Sequence, residues 1–385
     1  MFFINFFRRL FKSSASQTFN EDRTRKANYY PSFLTIYLLK KNWKRHVETI
    51  PKYPDKYKGK GIVICGGGPV YFTCAWININ MLRKKGCKLP IELWYLEGEI
   101  TDELIEQLNT LDVTCKNITD SGGGYLSNYA LKPYCVINSS FEEILFLDAD
   151  NNCWTDPTFL FDTPEFEKNG AVFWPDFWIT GKRNPIWKIL GIKSDGTNEQ
   201  ESGQILINKK KCWKALNLCF FLNVNRRFYY RMLLGDKDTF KLAWRALNTD
   251  FKMIETPVAF CGYQDQDDDC FVDVAMVQYD LKGELLFLHR NGKKWFFTEH
   301  DKKAMMEIIR YKKDAKEKKM VEHFTKDNSF FCLDGDIETI DAQDLLGTYE
   351  DECLVLLKEL RELDVYVKFV HDAIDADHAR KQAEN

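Results

Sequence analysis

The chain has 385 residues, a length that allows one large α/β domain with extensions or two domains. Its formal net charge is only −3, but residues 1–60 hold 14 basic and 4 acidic side chains, so a basic arm precedes an acidic body. This asymmetry suits an arm that meets an anionic surface, and it argues against a nucleic-acid-binding core. No segment approaches the ~20 apolar residues that a membrane-spanning helix needs, so we expect no transmembrane anchor.

Residues 1–12 have the pattern of a short basic amphipathic helix. On a helical wheel one half carries Arg8, Arg9 and Lys12, while the other half is apolar and consists of Phe2, Phe3, Phe6, Phe7, Leu10 and Phe11. This pattern is typical of helices that lie in a membrane interface. We predict that a basic arm, residues 1–58, makes peripheral membrane contact through residues 1–12. A disordered leader and a helix packed on its own domain are the alternatives.

The twelve cysteines are scattered along the chain, and none has Cys-x-x-Cys spacing. This argues against a zinc site or a thioredoxin-like site. Several cysteines, such as Cys65, lie within apolar runs and are typical of small buried side chains. We therefore favour a reducing compartment, with the protein in the cytoplasm or on a membrane surface.

Regular structure is predicted from residue 61. Residues 61–65 form a strand that ends in a glycine-rich turn, and a helix follows with Phe72, Ala75, Ile79 and Leu82 on its buried face. Two further strands, residues 91–96 and 113–115, flank a helix that Thr101 can cap. This alternation predicts an α/β fold with a parallel sheet. Gly66 and Gly67 in the first turn are candidate nucleotide contacts, although the spacing fits neither a dinucleotide fingerprint nor a P-loop.

The apolar residues 144–147 end abruptly in Asp148-Ala149-Asp150. A buried strand would bring both carboxylates to the carboxyl edge of the sheet, where open α/β folds bind ligands. Hard oxygen ligands suit Mg²⁺ or Mn²⁺ bridging to a diphosphate. The alternative is a solvated turn after a strand.

His289 follows a second apolar run, residues 285–288, and precedes Lys293 and Lys294. A neutral imidazole could complete the coordination of a metal held by Asp148 and Asp150. One of the two lysines could neutralise a bound diphosphate. The alternative is a surface or core histidine.

Three more polar groups are candidate ligand contacts. Ser202, Gly203 and Gln204 precede a predicted strand at residues 205–208, and there they could contact a donor. Asp236 and Asp238 precede a helix that should begin near Thr239. Asp176 lies among large aromatic rings, as in many sugar sites. A strand-entry turn, a helix cap and an aromatic core are the respective alternatives.

The C-terminal part is predicted to be helical. Residues 171–295 are mixed in pattern, whereas the sequence beyond His300 is highly charged. We interpret residues 312–319 as the solvated face of a helix and residues 353–360 as a packed helix. The predicted domains are therefore the arm, residues 1–58, a catalytic domain, residues 59–300, and a helical C-terminal extension, residues 301–385.

Several motifs occur in the order in which they occur in a known family. From about Gly59 to Trp295 the chain resembles the fungal Golgi α-mannosyltransferases of the Mnn type, glycosyltransferase family 71. The motifs that carry the likeness are Gly61-Ile-Val-Ile-Cys-Gly-Gly67, Lys132-Pro133, Asn138-Ser-Ser-Phe-Glu-Glu-Ile-Leu-Phe-Leu-Asp-Ala-Asp-Asn151, Phe173-Trp-Pro-Asp-Phe-Trp178, Glu201-Ser-Gly-Gln204 and Gly235-Asp-Lys-Asp-Thr-Phe240.

The resemblance implies a GT-A fold, that is, a Rossmann-like nucleotide-sugar-binding domain with a mixed central sheet. It implies GDP-mannose as donor, Mn²⁺ or Mg²⁺ as cofactor, a glycan acceptor and retention of anomeric configuration. Through a more distant likeness to glycogenin-like enzymes, Lys132 resembles a contact to the donor phosphate or sugar. Asp236 or Asp238 resembles the acid near the transferred sugar, and Lys293 or Lys294 resembles the clamp on the leaving group.

We therefore predict a metal-dependent retaining α-mannosyltransferase that binds no nucleic acid. Front-side attack by the acceptor hydroxyl is expected, with Asp236, Asp238 or Asp176 orienting sugar hydroxyls. A UDP-sugar-dependent glucosyl- or galactosyltransferase and a non-catalytic glycan-binding protein of the same fold are the alternatives. The fungal members are anchored in the Golgi by a transmembrane helix that we do not expect in this chain, so residence in the Golgi does not carry over with the resemblance and remains only a possibility.

Overall fold

A computed structural model describes residues 18–126, 128–267, 270–324 and 329–384. The predicted amphipathic helix at residues 1–12 lies outside these residues, and its contact with a membrane stays a prediction. None of the helices within the described ranges has the length and apolar character needed to cross a membrane.

The described strands and helices alternate along most of the chain. The strands are β1 (Thr18–Phe19), β2 (Thr24–Lys26), β3 (Lys60–Cys65), β4 (Ile91–Tyr95), β5 (Val113–Asn117), β6 (Glu143–Asp148), β7 (Asn151–Cys153), β8 (Ala171–Thr180), β9 (Asn198–Asn208), β10 (Lys252–Met253), β11 (Ala259–Asp265), β12 (Cys270–Tyr279), β13 (Leu285–His289), β14 (Glu307–Tyr311), β15 (Lys318–Phe324), β16 (Ser329–Gly335) and β17 (Ile337–Asp341). The helices are α1 (Phe33–Thr49), α2 (Gly68–Lys84), α3 (Asp102–Asn109), α4 (Leu131–Asn138), α5 (Pro164–Asn169), α6 (Ile186–Leu190), α7 (Lys209–Val224), α8 (Arg226–Tyr229), α9 (Lys237–Ala246), α10 (Ala342–Leu346), α11 (Tyr349–Glu362) and α12 (Asp364–Glu384).

The central sheet has the strand order β1-β2-β8-β9-β6-β3-β4-β5, with β10 beside β8. Strands β3, β4, β5 and β6 run parallel to one another, whereas β9 is antiparallel to both β6 and β8. The predicted α/β fold with a mixed, Rossmann-like central sheet is therefore confirmed.

Both faces of this sheet are buried, which explains why its inner strands are continuous apolar runs. In β3, Ile62 and Ile64 point into one core, and Val63 between them points into the other. In the same way Leu145 of β6 faces the first core, and Phe146 faces the second. This period of two is the ordinary alternation of a strand. It leaves the ends of the strands as the place where polar side chains can gather.

A second, antiparallel sheet brings His289 to the edge of the first. Its order is β17-β14-β11-β12-β13-β7. Strand β7 begins directly after Asp150 and pairs with β13, and this register sets His289 opposite Asn151. The peptide N–H of Arg290 donates to the Asp150 carbonyl at 2.8 Å. Residues far apart in the chain are thus fixed side by side through backbone pairing.

The prediction that the chain is helical beyond residue 300 is wrong for residues 307–341. Four strands, β14 to β17, occupy that part, and the helices begin at Ala342. The Lys-rich run predicted as a helix face is a turn that leads into β15 at Lys318. In β14, Ile308 and Ile309 are buried and β-branched, a composition that favours strands. The charge run obscured this signal because solvated lysines have no period of their own.

The C-terminal helices pack against the apolar core of the central sheet. Cys353 and Leu357 of α11 belong to the same apolar core as Ile62 of β3. The buried Arg290 guanidinium, next to His289, lies 2.9 Å from the Glu350 carboxylate at the start of α11. The segment after residue 300 therefore supports the strand that delivers His289.

Candidate active site

Asp148, Asp150 and His289 come together at the carboxyl edge of the central sheet. Asp148 ends β6, Asp150 follows in the turn, and His289 ends β13. One ligand atom from each of the three side chains lies within 4.8 Å of the others. Asn78 of α2 secures the turn, because its amide donates to the carbonyl of Asn151 at 2.9 Å and to that of Asp148 at 3.3 Å. The three predicted metal ligands thus form one cluster.

Asp150 is the most strongly ion-paired of the three. His289 Nε2 lies 3.2 Å from its Oδ1, and the Lys294 ammonium contacts its Oδ2. Burial alone raises the pKa of Asp150, but Lys294 and His289 outweigh it and hold that pKa well below the ordinary range. Asp150 is therefore an anion at neutral pH, the form that binds a cation.

Lys294 belongs to this cluster. The Lys294 ammonium also lies 5.3 Å from the centre of the Tyr71 ring, a cation–π distance. The backbone N–H of Lys293 bonds to Val274 and its carbonyl to Arg290, so this lysine is part of the strand edge. The geometry distinguishes two neighbours that the sequence pattern left equivalent.

Lys132 of α4 joins Asp148 to Asp236. Its buried Nζ lies 3.0 Å from Asp148 Oδ1 and 3.2 Å from Asp236 Oδ2, and it donates to both the carbonyl and the hydroxyl of Ser202 at 2.9 Å. The Ser202 hydroxyl in turn donates to Asp236 at 2.9 Å. Burial raises the pKa of Asp148, and the charges of Lys132 and His289 oppose that rise without cancelling it. Lys132 therefore holds two of the predicted site acids in place.

Asp176 and Asp238 belong to a neighbouring cluster that Lys237 organises. The Lys237 ammonium lies 2.5 Å from both Asp176 and Glu199, and 3.6 Å from Asp238. Arg25, from the N-terminal β2, pairs with Glu199 at 2.6 Å. Burial and the Glu199 charge raise the pKa of Asp238 to about 7. The three acids that were predicted to orient sugar hydroxyls are thus divided between two clusters.

Arg25, Glu199, Glu201 and Lys237 were missed as site residues when the sequence was interpreted. Glu199 and Glu201 alternate along β9, so a strand assignment that began at residue 198 would have placed both on one face. Lys237 stands between the two aspartates of the Asp236-Lys237-Asp238 motif. Arg25 carries no signal, because only the folded chain brings β2 beside β8.

Residues 201–204 were predicted to precede a strand at residues 205–208, but they lie in the middle of the longer strand β9. A Cβ atom on Gly203 would lie 2.5 Å from His289 Nδ1, so the glycine makes room for the histidine ring. Gln204 lies in a buried chain of amides: it accepts from Asn151 at 2.5 Å and donates to Gln278, which donates to the Pro175 carbonyl. Gly203 and Gln204 thus pack against the residues of the site. Contact of Ser202, Gly203 and Gln204 with a sugar donor stays a prediction.

Gly66 and Gly67 lie in the turn between β3 and α2, as predicted. A Cβ atom on Gly66 would lie 3.1 Å from Ala75 Cβ and 3.2 Å from Ala149 Cβ, and one on Gly67 would overlap the Glu99 side chain. Close packing alone therefore explains why both positions are glycine. Their contact with a nucleotide stays a prediction.

The cluster has the properties of a divalent metal site. Two carboxylates and one imidazole are a donor set that Mn²⁺ and Mg²⁺ accept. His289 Nδ1 is buried and makes no hydrogen bond with any described residue. In a ring that binds a metal through Nε2, Nδ1 would be the nitrogen that faces away from the metal. The ring itself is seated in the space that Gly203 leaves. The residues present therefore fit the predicted cation.

Comparisons with known proteins agree with the chemistry of this site. The family model "Mannosyltransferase putative" matches residues 59–199 and 193–280. The chain is 28% identical over 293 residues to α-1,2-mannosyltransferase MNN2 of Saccharomyces cerevisiae. This alignment covers 63% of this chain and 49% of that protein. It is 28% identical over 262 residues to α-1,2-mannosyltransferase MNN24 of Candida albicans, covering 56% of this chain and 37% of that protein. The chain thus spans about half, or less, of the length of these relatives.

Solved glycosyltransferases align with half of the chain. The bifunctional glycosyltransferase WbbM covers 52% of this chain and 39% of its own, with 14% identity and a TM-score of 0.39. The galactosyltransferase LgtC, solved with donor and acceptor sugar analogues, covers 50% of this chain and 72% of its own, with 17% identity and a TM-score of 0.37.

Proposed function

This chain belongs to the mannosyltransferase family whose model matches residues 59–199 and 193–280, and we propose that it is a metal-dependent retaining glycosyltransferase that moves mannose from GDP-mannose to a glycan hydroxyl. The observation that carries the proposal is the cluster of Asp148, Asp150 and His289, whose ligand atoms lie within 4.8 Å of one another. Relatives that are named as α-1,2-mannosyltransferases support mannose as the transferred sugar.

In this proposal each charged side chain has a distinct task. Asp148, Asp150 and His289 would hold Mn²⁺ or Mg²⁺, which would neutralise the donor diphosphate and stabilise it as it leaves. Lys294 adds a fixed positive charge beside Asp150 and is the candidate clamp on the leaving diphosphate. Lys132 fixes Asp148 and Asp236 through one ammonium group.

Asp236 is the acid best placed to orient the transferred sugar. Asp236 is buried, and its Oδ2 accepts a hydrogen bond from the Ser202 hydroxyl at 2.9 Å. It also forms an ion pair with Lys132, the lysine that contacts Asp148. A carboxylate fixed in this way can accept hydrogen bonds from sugar hydroxyls without reorganising. Asp176 and Asp238 would act from the adjacent Lys237 cluster. The acceptor hydroxyl would attack from the face that the diphosphate leaves, which retains the anomeric configuration.

The test is a panel of thermal-shift and donor-hydrolysis assays in Mn²⁺ or in EDTA. The ligands are GDP-mannose, UDP-glucose, UDP-galactose, GDP and UDP, each with the wild type and with Asp148→Asn. We expect stabilisation by GDP and slow hydrolysis of GDP-mannose only with metal and only in the wild type. Transfer of radiolabelled mannose to an α-mannoside would then identify the acceptor.

The other outcomes separate the alternatives. Hydrolysis of a UDP-sugar in place of GDP-mannose would keep the mechanism and change the donor. Binding of α-mannosides without turnover of any donor would indicate a glycan-binding protein of the same fold. Residence in the cytoplasm or on a membrane surface, with contact through residues 1–12, is proposed from the sequence alone.

A further inference from the structure

The two ring nitrogens of His289 face different carboxylates. Nε2 points to the predicted metal site, 3.2 Å from Asp150 Oδ1 and 3.9 Å from Asp148 Oδ2. Nδ1 points the other way, 3.6 Å from Glu201 Oε1 on β9. Nδ1 is buried and forms no hydrogen bond within the described part of the chain. A small shift of the His289 ring would bring Nδ1 within hydrogen-bond distance of Glu201.

The Glu201 carboxylate is held in a fixed position on its own strand. Its Oε1 accepts the backbone N–H groups of Ser202 at 2.9 Å and Gly203 at 2.8 Å. This is the oxygen that faces His289 Nδ1. Glu201 is buried, so water does not compete strongly for this oxygen. An acceptor of this kind is set in place before any ligand binds.

The His289 ring in turn has little freedom to turn away from Glu201. A Cβ atom on Gly203 would lie 2.5 Å from Nδ1 and 2.6 Å from Cε1, which shows that the ring lies directly on the strand at this glycine. Strand β13 fixes the backbone of His289 through its pairing with Asn151. The ring is therefore confined between Gly203 on one side and the two aspartates on the other.

We propose that Glu201 is a positioning residue that fixes the tautomer of His289, with the proton on Nδ1 directed at Glu201 and the lone pair of Nε2 directed at Asp148 and Asp150. The inference rests on the proposed metal-dependent function and names the residue that prepares the imidazole for it. Histidines that bind metals generally donate their second N–H to a carboxylate or a carbonyl, and removal of that partner typically costs about 10–100-fold in metal affinity.

The first experiment measures metal binding in the full chain without turnover. Titration calorimetry with Mn²⁺ in the presence of GDP compares the wild type with Glu201→Ala, Glu201→Gln and Gly203→Ala. We expect Glu201→Ala to weaken Mn²⁺ binding by about 10–100-fold. Glu201→Gln should weaken it less, because an amide oxygen can still accept a hydrogen bond from Nδ1. Gly203→Ala should weaken it by displacing the His289 ring. Glu92→Gln, which alters a buried carboxylate that bonds Trp94 and Ser140 instead, should bind Mn²⁺ like the wild type.

The second experiment observes the tautomer itself. Long-range ¹H–¹⁵N correlation spectra of histidine-labelled, metal-free protein with the ring in its neutral form, assigned with His289→Gln, should show the Nδ1–H form of His289 in the wild type and a mixture in Glu201→Ala. In the His289→Gln background, Glu201→Ala should cause no further loss of metal affinity, since it acts through His289.

Three results would overturn the inference. They are wild-type Mn²⁺ affinity in Glu201→Ala, losses that add in the double variant, and an unchanged tautomer. Failure of the wild type to bind Mn²⁺ at all would instead contradict the proposed function, so the two failures are distinguishable.

Discussion

The Lys132 ammonium lies 3.0 Å from Asp148, so the first acid of the Asp148-Ala149-Asp150 motif is already paired with a buried cation before any metal arrives. Lys294 makes the corresponding contact with Asp150. Two like charges at this spacing would otherwise repel each other in a buried setting. The two lysines therefore offset the repulsion between the two acids.

The first prediction concerns the two aspartates. Asp148→Asn and Asp150→Asn should each lower mannosyl transfer by about 10²–10³-fold, because each removes an anionic ligand and its share of the stabilisation of the leaving group. Asp148→Asn should fold well, since Lys132 keeps Asp236 as an ionic partner at 3.2 Å. Initial rates at saturating Mn²⁺, with circular dichroism as the folding check, measure the effect. Wild-type turnover in either variant would contradict the assignment.

The apolar strands and the acids that follow them could be predicted from local sequence alone. Residues 144–147 end at Asp148 and residues 285–288 end at His289, and each pattern requires only that a buried strand stops at a polar group. Parallel strands with helical crossovers then bring such ends to one edge. This is why the candidate metal ligands could be predicted from the sequence.

Other parts of the site depend on pairing between distant segments. The register between β7 and β13, the approach of Arg25 to Glu199 and the contact of Lys294 with Asp150 are all fixed by tertiary contacts. Side-chain periodicity does not encode such contacts. The strands β14 to β17 were missed for a related reason, since the lysine run before β15 has the composition of a solvated helix.

The second prediction separates the two lysines after His289. Lys294→Met should reduce turnover while Mn²⁺ binding stays equal or becomes tighter, because a cation that competes for Asp150 has been removed. Lys293→Met is the matched comparison, since its backbone contacts remain intact. Turnover and Mn²⁺ titration are measured on both variants. A larger loss of turnover in Lys293→Met would assign the clamp to Lys293 instead.

The third prediction tests whether Lys132 and Asp236 act as a unit. Their side chains lie 3.2 Å apart and share the Ser202 hydroxyl. Lys132→Met leaves buried acids without their cation, so it should destabilise the protein by about 3–5 kcal/mol. In a double-mutant cycle with Asp236→Asn, the coupling energy from urea unfolding should be about 0.5–3 kcal/mol. Simple additivity of the two effects would show that the contact contributes nothing.

The fourth prediction concerns Lys237 and its three acids. Lys237→Met removes the cation that lies 2.5 Å from Asp176 and Glu199 and 3.6 Å from Asp238, and it should lower stability by about 3–5 kcal/mol. Lys241→Met, a neighbouring buried lysine on the same helix, is the comparison, because it bonds to Thr197 and Asn198 and lies 3.9 Å from Asp195. Urea unfolding measures both. An equal loss in the two variants would argue against a special role for the Lys237 cluster.

The last prediction is a pH dependence of stability that Asp238 should cause. Burial and Glu199 raise the pKa of Asp238 from an ordinary value of 3.8 to about 7. The folded protein thus binds this proton more tightly than the unfolded chain does. The resulting stabilisation is fully present below pH 3.8 and is lost as the pH rises through about 7. Asp238→Asn cannot lose that proton, so its stability should not fall in this way.

The measurement is the difference in free energy of unfolding between wild type and Asp238→Asn across this pH window. As the pH rises, the wild type should lose stability relative to the variant by at most about 1.4 kcal/mol per pH unit. Only the slope of this difference carries the test, because the amide also changes the contact with Arg25 at every pH. A wild type that gains stability relative to Asp238→Asn as the pH rises would mean that Arg25 and Lys237 keep Asp238 ionised in the folded protein.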